Sequence, residues 1–553
     1  MRLNGRETKL NGSEMKRSAS YDDLSSLVRA LSVLLVLELS LAWLLRVNIA
    51  STIVISRISL CVLSSLFLKY LLSVWGYSVI RYLIVSLTVW TYFETILGIL
   101  QIYNVVDSNN ELFIVTGSFN NPNPYAGFLV VLSSITMGYC QKYKEDMLWL
   151  KPFVYVSFLL VLMVLPVTRC RSSYCALIAV LSAHIWMTDS GCRFIKKHII
   201  LILLVLSALL TALYYIKQPS SDWRMFQNKI SLNSIAQNNF FGSGLGSYGA
   251  TASKTQLCYF YDSLYLKHGT INIPNDLNNE CRIAGRCYYA FCDYLQIGVE
   301  AGALTMITFT TLIVLLLIQL YRKRSPFFLG ILSMAVTGLF SYPFCLWQNE
   351  LLIAIIVSHA VCGDNDNKPL FSDFVLFLGL IIVITYGLFS FIRLKTETTR
   401  WGEDRVFYNS GGYELYCNYC KDKVELLNSN ENFMIEYGTA LSKTNNLDLS
   451  DSVLSLGFIS SGNPYFLILK GDNSLLRKDY YMSEEYYWRA FCCVPDRIYP
   501  LFCLAKLYKN LGRDEELENI GKYVRSHRMR IESSLTDDIR KEIIKLTTRK
   551  DED

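Results

Sequence analysis

Arg171 stands in LPVTRCRSSYCAL with Arg169 two residues before it, at the boundary between two apolar runs, and Arg224 stands in SDWRMFQNKISLNS at the start of a helical pattern. A guanidinium is planar, always charged and carries a fork of donors matched to phosphate oxygens, so arginines at these positions suit a phosphate or diphosphate ligand. An arginine at a membrane boundary also snorkels to lipid headgroups, and both readings stay open for any single one. A second polar group lies in GSFNNPNPYAGFL, Gly117 to Leu129, where Asn120, Asn121 and Asn123 flank Pro122 and Pro124. The prolines cannot continue a preceding helix, and the backbone groups they free need water or buried partners. The segment is therefore expected to line a cavity, with Asn123 and its neighbours as donors to a polar ligand. Capping of a helix that starts near Tyr125 accounts for one of the three asparagines. Asp293 and Glu300 in AFCDYLQIGVEAG complete the set. Acids at the end of an apolar run serve ordinarily as caps or as ion-pair partners of the arginines.

The elements that position these residues are apolar runs. The chain has 553 residues, 52% hydrophobic and 18% charged, with a mean hydropathy of +0.28. That departs from the balance of a soluble domain and indicates a membrane protein. Basic residues number 53 against 47 acidic ones, too small and scattered an excess for a nucleic-acid surface. The polar first 26 residues lack the apolar core and small-residue cleavage site of a signal peptide. Runs of about 20 apolar residues, each long enough to cross a bilayer, recur near 27–45, 51–72, 79–103, 122–140, 152–168, 171–187, 197–215, 294–320, 326–342, 346–361 and 371–393. These predict about eleven transmembrane helices.

Lysine and arginine set the orientation. Lys142 and Lys144, then Arg193, Lys196 and Lys197, then Arg322, Lys323 and Arg324 fall in alternate short connections, expected to be cytoplasmic. The connections around 104–121 and 341–350 contain no basic residue and belong outside. This arrangement puts the amino terminus, 1–26, in the cytoplasm. A large loop at 217–289 and the tail at 394–553 then lie on the outer side. In the tail, Gly438, Gly471 and Ala505 recur at intervals of ~34 residues, the tetratricopeptide spacing. The phrase LAKLYKNLGRDEELENI sets a Gly-Arg-Asp turn between two amphipathic stretches. A short helical solenoid is predicted, and an unrelated helical bundle fits the same periodicity.

Other chemistries find little support. Gly242, Gly244 and Gly246 lack the strand and βαβ context of a dinucleotide site. The five histidines form no ligand cluster, so no metal or other cofactor is expected. Cys417 and Cys420, and the group Cys258, Cys281, Cys287 and Cys292, can pair in an oxidising compartment, with connectivity left open.

Taken in order, NPNPYAG, TRCRSSYCAL, WRMFQNKISLNSIAQNNFFGSGLGSY and YYAFCDYLQIGVEAG resemble the O-antigen ligase superfamily. That family comprises lipopolysaccharide O-antigen ligases, O-antigen polymerases and bacterial O-oligosaccharyltransferases. The likeness covers roughly residues 20 to 393, and the tail is similar to the periplasmic tetratricopeptide extension of some Bacteroidetes-type members. The resemblance implies an all-α, polytopic protein of the bacterial inner membrane, with a transferase domain at 27–393 and a periplasmic tail. It implies transfer of a glycan from an undecaprenyl-diphosphate carrier to lipid A core, another glycan or a protein.

Residue by residue, Arg171 matches the family's membrane-boundary arginine and Arg224 its second arginine. Arg169 is an extra basic residue, and Cys170 replaces a usual serine. Phe291 occupies the position of the histidine that many members carry, which leaves Asp293, then Glu300, as candidates for the base. A transporter would share phosphate-binding arginines but is expected to show symmetry between halves, and none is found. A non-catalytic membrane scaffold is the other reading. The tail is expected to recruit an acceptor or partner protein, and its removal to spare carrier binding.

Overall fold

A computed structural model describes residues 4–216, 218–237, 240–262, 275–361, 371–526 and 533–547. The described residues are helical throughout, without a β-strand, and they separate into two compact units. The first comprises 1–42, 55–217 and 291–386; the second comprises 43–54, 218–290 and 387–553. The large loop and the tail, far apart in sequence, thus share one unit.

Six described helices are long and apolar enough to cross a membrane: Leu24–Leu45, Ile49–Trp75, Tyr77–Ile102, Lys151–Thr168, Ala303–Arg322 and Leu378–Asn409. A seventh crossing results if Arg171–Trp186 and Asp189–Lys197, bent at 113°, form one broken span. The chain is compatible with a multi-pass membrane protein. The expected run 294–320 is interrupted: Gly302, at a φ of 98° that favours glycine, separates Asp293–Ala301 from Ala303–Arg322.

The first unit is organised around the helix Pro122–Lys142. Asn121 caps it, its side chain accepting the Asn123 N–H at 2.9 Å, and Pro122 sits at the first turn where its missing N–H costs nothing. The helix therefore begins at Pro122, three residues before Tyr125. Every residue from Pro124 to Cys140 is buried. A Cβ at Gly127 would press on Thr337 and one at Gly138 would meet the Pro326 backbone, so small residues set the approach of neighbouring helices. Ser133 and Thr136 return their hydroxyls to the carbonyls of Leu129 and Leu132. Hydroxyl groups and glycines make this helix less apolar than its neighbours because it touches protein on all sides.

Its two ends differ. At the carboxyl end Lys142 Nζ donates to the Lys323 carbonyl at 3.5 Å and Gln141 donates to the His184 carbonyl at 2.8 Å. At the amino end lie Asn121 and Asn123.

In the second unit, the tail helices Glu431–Lys443, Leu447–Ser461, Tyr465–Leu476, Tyr480–Cys493, Tyr499–Leu511, Asp514–Ser526 and Ser534–Thr547 each pack on the next. Gly438 faces Leu454 and Gly471 faces Tyr487, in both cases too closely for a Cβ. Gly512, left-handed, closes Tyr499–Leu511 and so makes the turn anticipated from LGRDEE. The loop helix Tyr248–Phe260 packs on Leu447–Ser461 and Tyr480–Cys493. Gln256 donates to the Cys493 carbonyl and Lys254 to the Ile459 carbonyl, both at 2.7 Å. All described cysteines are thiols.

Arg286 ties the loop to the tail through both carboxylate oxygens of Glu431 and, at 2.8 Å, the Ser461 carbonyl. Burial alone would raise the Glu431 pKa, but the hydrogen bonds and charge of Arg286 hold it below the usual carboxylate range. Glu431→Ala is expected to destabilise this unit by about 3 kcal/mol, because it leaves a buried guanidinium without its counter-charge. The pair's contribution is complete above pH ~4.3, the unfolded value, and fades as pH falls through the depressed folded value. Denaturant titrations between pH 3 and 7 should show that acid slope in the parent and its loss in the variant. Equal stability of the two at pH 7 would contradict the assignment.

Candidate functional site

The amino end of Pro122–Lys142 gathers polar residues from four segments of the first unit. Asn123 is the hub. Its side-chain oxygen accepts the Ser172 hydroxyl at 3.0 Å and the Cys170 thiol, while its amide nitrogen donates to Ser341 Oγ at 3.2 Å. Cys170 thus makes the bond a serine hydroxyl would make there. The Asn123 amide is directed to protein partners, which makes it a brace for the site. Asn121 is the cap, and Asn120 is exposed, its carbonyl accepting from Asn110 at 3.2 Å.

Arg171 is the first residue of Arg171–Trp186 and is half-buried, one position from Ser172 and hence from Asn123. A helix amino terminus carries unpaired N–H groups and the positive end of the helix dipole, so a phosphate there meets favourable backbone as well as guanidinium charge. Arg169 is exposed and closes the preceding helix in a left-handed conformation, φ 49°. Tyr174 hydroxyl takes the freed Leu165 carbonyl at 3.1 Å. Phe291 is also left-handed at φ 54°, and its ring meets Tyr342 edge-on at 5.4 Å between centroids. Left-handed backbone costs a bulky residue roughly 1–2 kcal/mol, and here it occurs immediately before the helices that carry Arg171 and Asp293.

Asp293 opens the helix Asp293–Ala301 and is buried, 1% exposed. It neither caps its own helix nor pairs with an arginine among the described residues. Its Oδ2 accepts the Phe344 N–H at 2.9 Å and its Oδ1 accepts the Cys345 thiol at 3.4 Å. Burial pushes its carboxyl up to about 8, against the lowering effect of those two donors. Glu300, also buried, lies two helical turns along on the same face and accepts from Gln296 at 3.2 Å. The segment Ser341–Cys345 therefore touches Asn123 at its start and Asp293 at its end. Through it Asn123, bonded to Ser172 beside Arg171, and Asp293 are held by one short segment. Arg224 is half-buried on Gln218–Gln237 and belongs to the second unit.

Four further residues shape this end and were not singled out from sequence. Glu94 accepts the Ser118 hydroxyl at 2.6 Å and the Ser118 N–H at 3.2 Å. Gln101 accepts the Thr116 and Gly117 N–H groups at 3.0 and 2.8 Å and donates to the Gly117 carbonyl at 3.0 Å. Together they pin the loop that leads into Pro122. Arg57 pairs with Glu350 at 2.6 Å. For Glu94, Arg57 and Glu350 the signal available was an ionisable residue inside an apolar run, which by default marks a site. No protein-family model matches this chain, and comparison with curated proteins yields no match.

Proposed function

We propose that the protein transfers a glycan from an undecaprenyl-diphosphate carrier to an acceptor at the outer face of a bacterial inner membrane, without a metal ion. The observation that carries this reading is the relay of hydrogen bonds, Ser172 to Asn123, Asn123 to Ser341 and Phe344 to Asp293, that links the helix start carrying Arg171 to the segment holding the buried carboxyl of Asp293. One group suits a diphosphate leaving group and the other suits an acceptor proton. In the reaction, the acceptor oxygen attacks the anomeric carbon, its proton passes to Asp293, and the bond from that carbon to the diphosphate oxygen breaks. Arg171, with Arg169 as a further cation, offsets the charge that develops on the diphosphate, and Arg224, on the second unit, is a candidate carrier-binding arginine by the resemblance alone.

Helices occupy all eleven expected positions, and six of those in the described residues, or seven with the bent pair, are long and apolar enough to cross. Lys142 and Lys323 share the end opposite Asn123, which supports a cytoplasmic basic end and an outer site. The close helix pairs at Gly438 and Gly471 support a tetratricopeptide-like tail that recruits a protein acceptor or assembly partner. Lipid A core, a second carrier-linked glycan and a protein are the three acceptor classes.

Reconstitution with a defined undecaprenyl-diphosphate glycan and each acceptor class tests the reading, with released undecaprenyl diphosphate as the product measured. Asp293→Asn should lower transfer by about 10²–10⁴-fold, and Glu300→Gln by much less. The base must be ionised, so the parental rate should climb as pH rises toward 8 and level off above it. Chelator should leave the rate unchanged. Transfer at parental rate by Asp293→Asn would remove Asp293 as base, and no transfer to any acceptor would favour the scaffold reading.

A further inference from the structure

The short turn Pro343–Cys345 is held from two sides. Asp293 takes the Phe344 N–H and the Cys345 thiol. From the other side, Arg57 Nη2 donates to the Cys345 carbonyl at 3.0 Å and to Glu350 Oε1 at 2.6 Å. Glu350 lies in the first turn of Trp347–Val361, directly after the turn it helps to hold. Two lesser ties secure the same corner: the Cys61 thiol donates to the Glu350 carbonyl at 3.2 Å, and the Asn349 amide to the Pro343 carbonyl at 3.0 Å.

An ion pair between two apolar helices is expensive to desolvate, and it persists only where good geometry and further hydrogen bonds compensate. A simple tie between helices needs only Arg57 and Glu350. The same guanidinium nitrogen also reaches the peptide of Cys345, whose thiol faces Asp293.

We propose that Arg57 and Glu350 are positioning residues for Asp293, their ion pair clamping the Pro343–Cys345 turn so that it presents the Phe344 N–H and the Cys345 thiol to the carboxylate. The catalytic consequence rests on the reading of Asp293 as base; the clamp itself does not. Both donors favour the ionised carboxylate and oppose the rise caused by burial, whereas Glu300 on the same helix adds to that rise. The other titratable groups near Asp293 are Cys292 and Tyr294 on its own helix, Cys345 on the turn, and Arg57 beyond it. Loosening the clamp withdraws the two donors and leaves burial and Glu300 unopposed. Asp293 then holds its proton to higher pH.

The test uses the full chain in lipid nanodiscs. Infrared difference spectra isolate the protonated-carboxyl band that disappears in Asp293→Asn, and this band is titrated in the parent, Arg57→Gln, Glu350→Gln and Arg57→Lys. The midpoint should move up by about 1 pH unit in Arg57→Gln and Glu350→Gln, and return toward the parent in Arg57→Lys, which keeps a charged donor. Where transfer is measurable, its rise with pH should move with the band, about tenfold less at pH 7 with rates converging at high pH. A residue that merely supports the fold would lower the rate at every pH and leave both midpoints in place. An unchanged midpoint in Glu350→Gln and Arg57→Gln overturns the clamp. A shifted midpoint in a parent that transfers no glycan upholds the clamp and refutes the transfer reading. Glu350→Gln, close in size but without the charge that holds Arg57 against the turn, serves if Arg57→Gln does not fold.

Discussion

Arg171→Lys is expected to lower glycan transfer by about a hundredfold in a protein that inserts and folds as the parent does. Lysine keeps the charge but loses the planar fork, so a contact that depends on two parallel donors is lost while simple attraction survives. The helix start that carries Arg171 is fixed: Cys170 before it and Ser172 after it both donate to Asn123, and Asn123 is held in turn by Ser341. A flexible lysine placed on that fixed backbone cannot recover the geometry by local adjustment. Arg171→Ala should lose a further tenfold or so, because the charge goes too. The measurement is single-turnover transfer at several donor concentrations, with thermal unfolding as the control for folding. Lipid-headgroup snorkelling predicts the opposite pattern, in which lysine substitutes fully. Parental transfer by Arg171→Lys with a loss in Arg171→Ala would favour that alternative, and parental transfer by both would remove Arg171 from the site.

Deleting the chain after Arg400 is expected to abolish transfer, and to do so through the loop. From sequence alone the tail reads as an appended recruiter, dispensable for carrier binding. The second compact unit revises that expectation, because it contains the loop and the tail together. The helix Tyr248–Phe260 buries Ala250, Ala252, Ser253, Gln256 and Phe260, and it packs on two tail helices. Truncation strips Gln256 of the Cys493 carbonyl and Arg286 of Glu431 and the Ser461 carbonyl. Stranding Arg286 alone costs about 3–5 kcal/mol, a large fraction of the ~5–15 kcal/mol that stabilises a typical domain. Exposure of the apolar face adds to this. Hydrogen exchange should show the amides of 248–260 protected in the full chain and largely unprotected in the truncation. A truncated protein with a protected loop and normal transfer would restore the independent recruiter.

The helical class was legible from runs of about 20 apolar residues, since a bilayer admits few other structures and a helix satisfies its own backbone. Several boundaries were legible too, because the residues that make them act locally. Gly512 ends a helix by adopting a left-handed conformation, and an asparagine before Pro122 caps the next one. The residue types at Arg171 and Asp293 marked them as candidates before any fold was known.

What sequence could not decide was partnership. Arg57 lies 293 positions from Glu350, and Arg286 lies 145 positions from Glu431. Periodicity carries information over a few helical turns and none over such distances. Within an apolar run Arg57 looks like a flaw in the pattern until Glu350 and the Cys345 carbonyl stand beside it. The Asn123 amide likewise looked open to a ligand until Ser172, Cys170 and Ser341 were placed around it. Composition located the loop and the tail, but their union in one unit depends on buried faces that meet only after the chain has folded. Local chemistry fixed which helices form and which side chains can react; long-range packing decided which of those side chains meet, because burial and hydrogen bonding depend on neighbours in space.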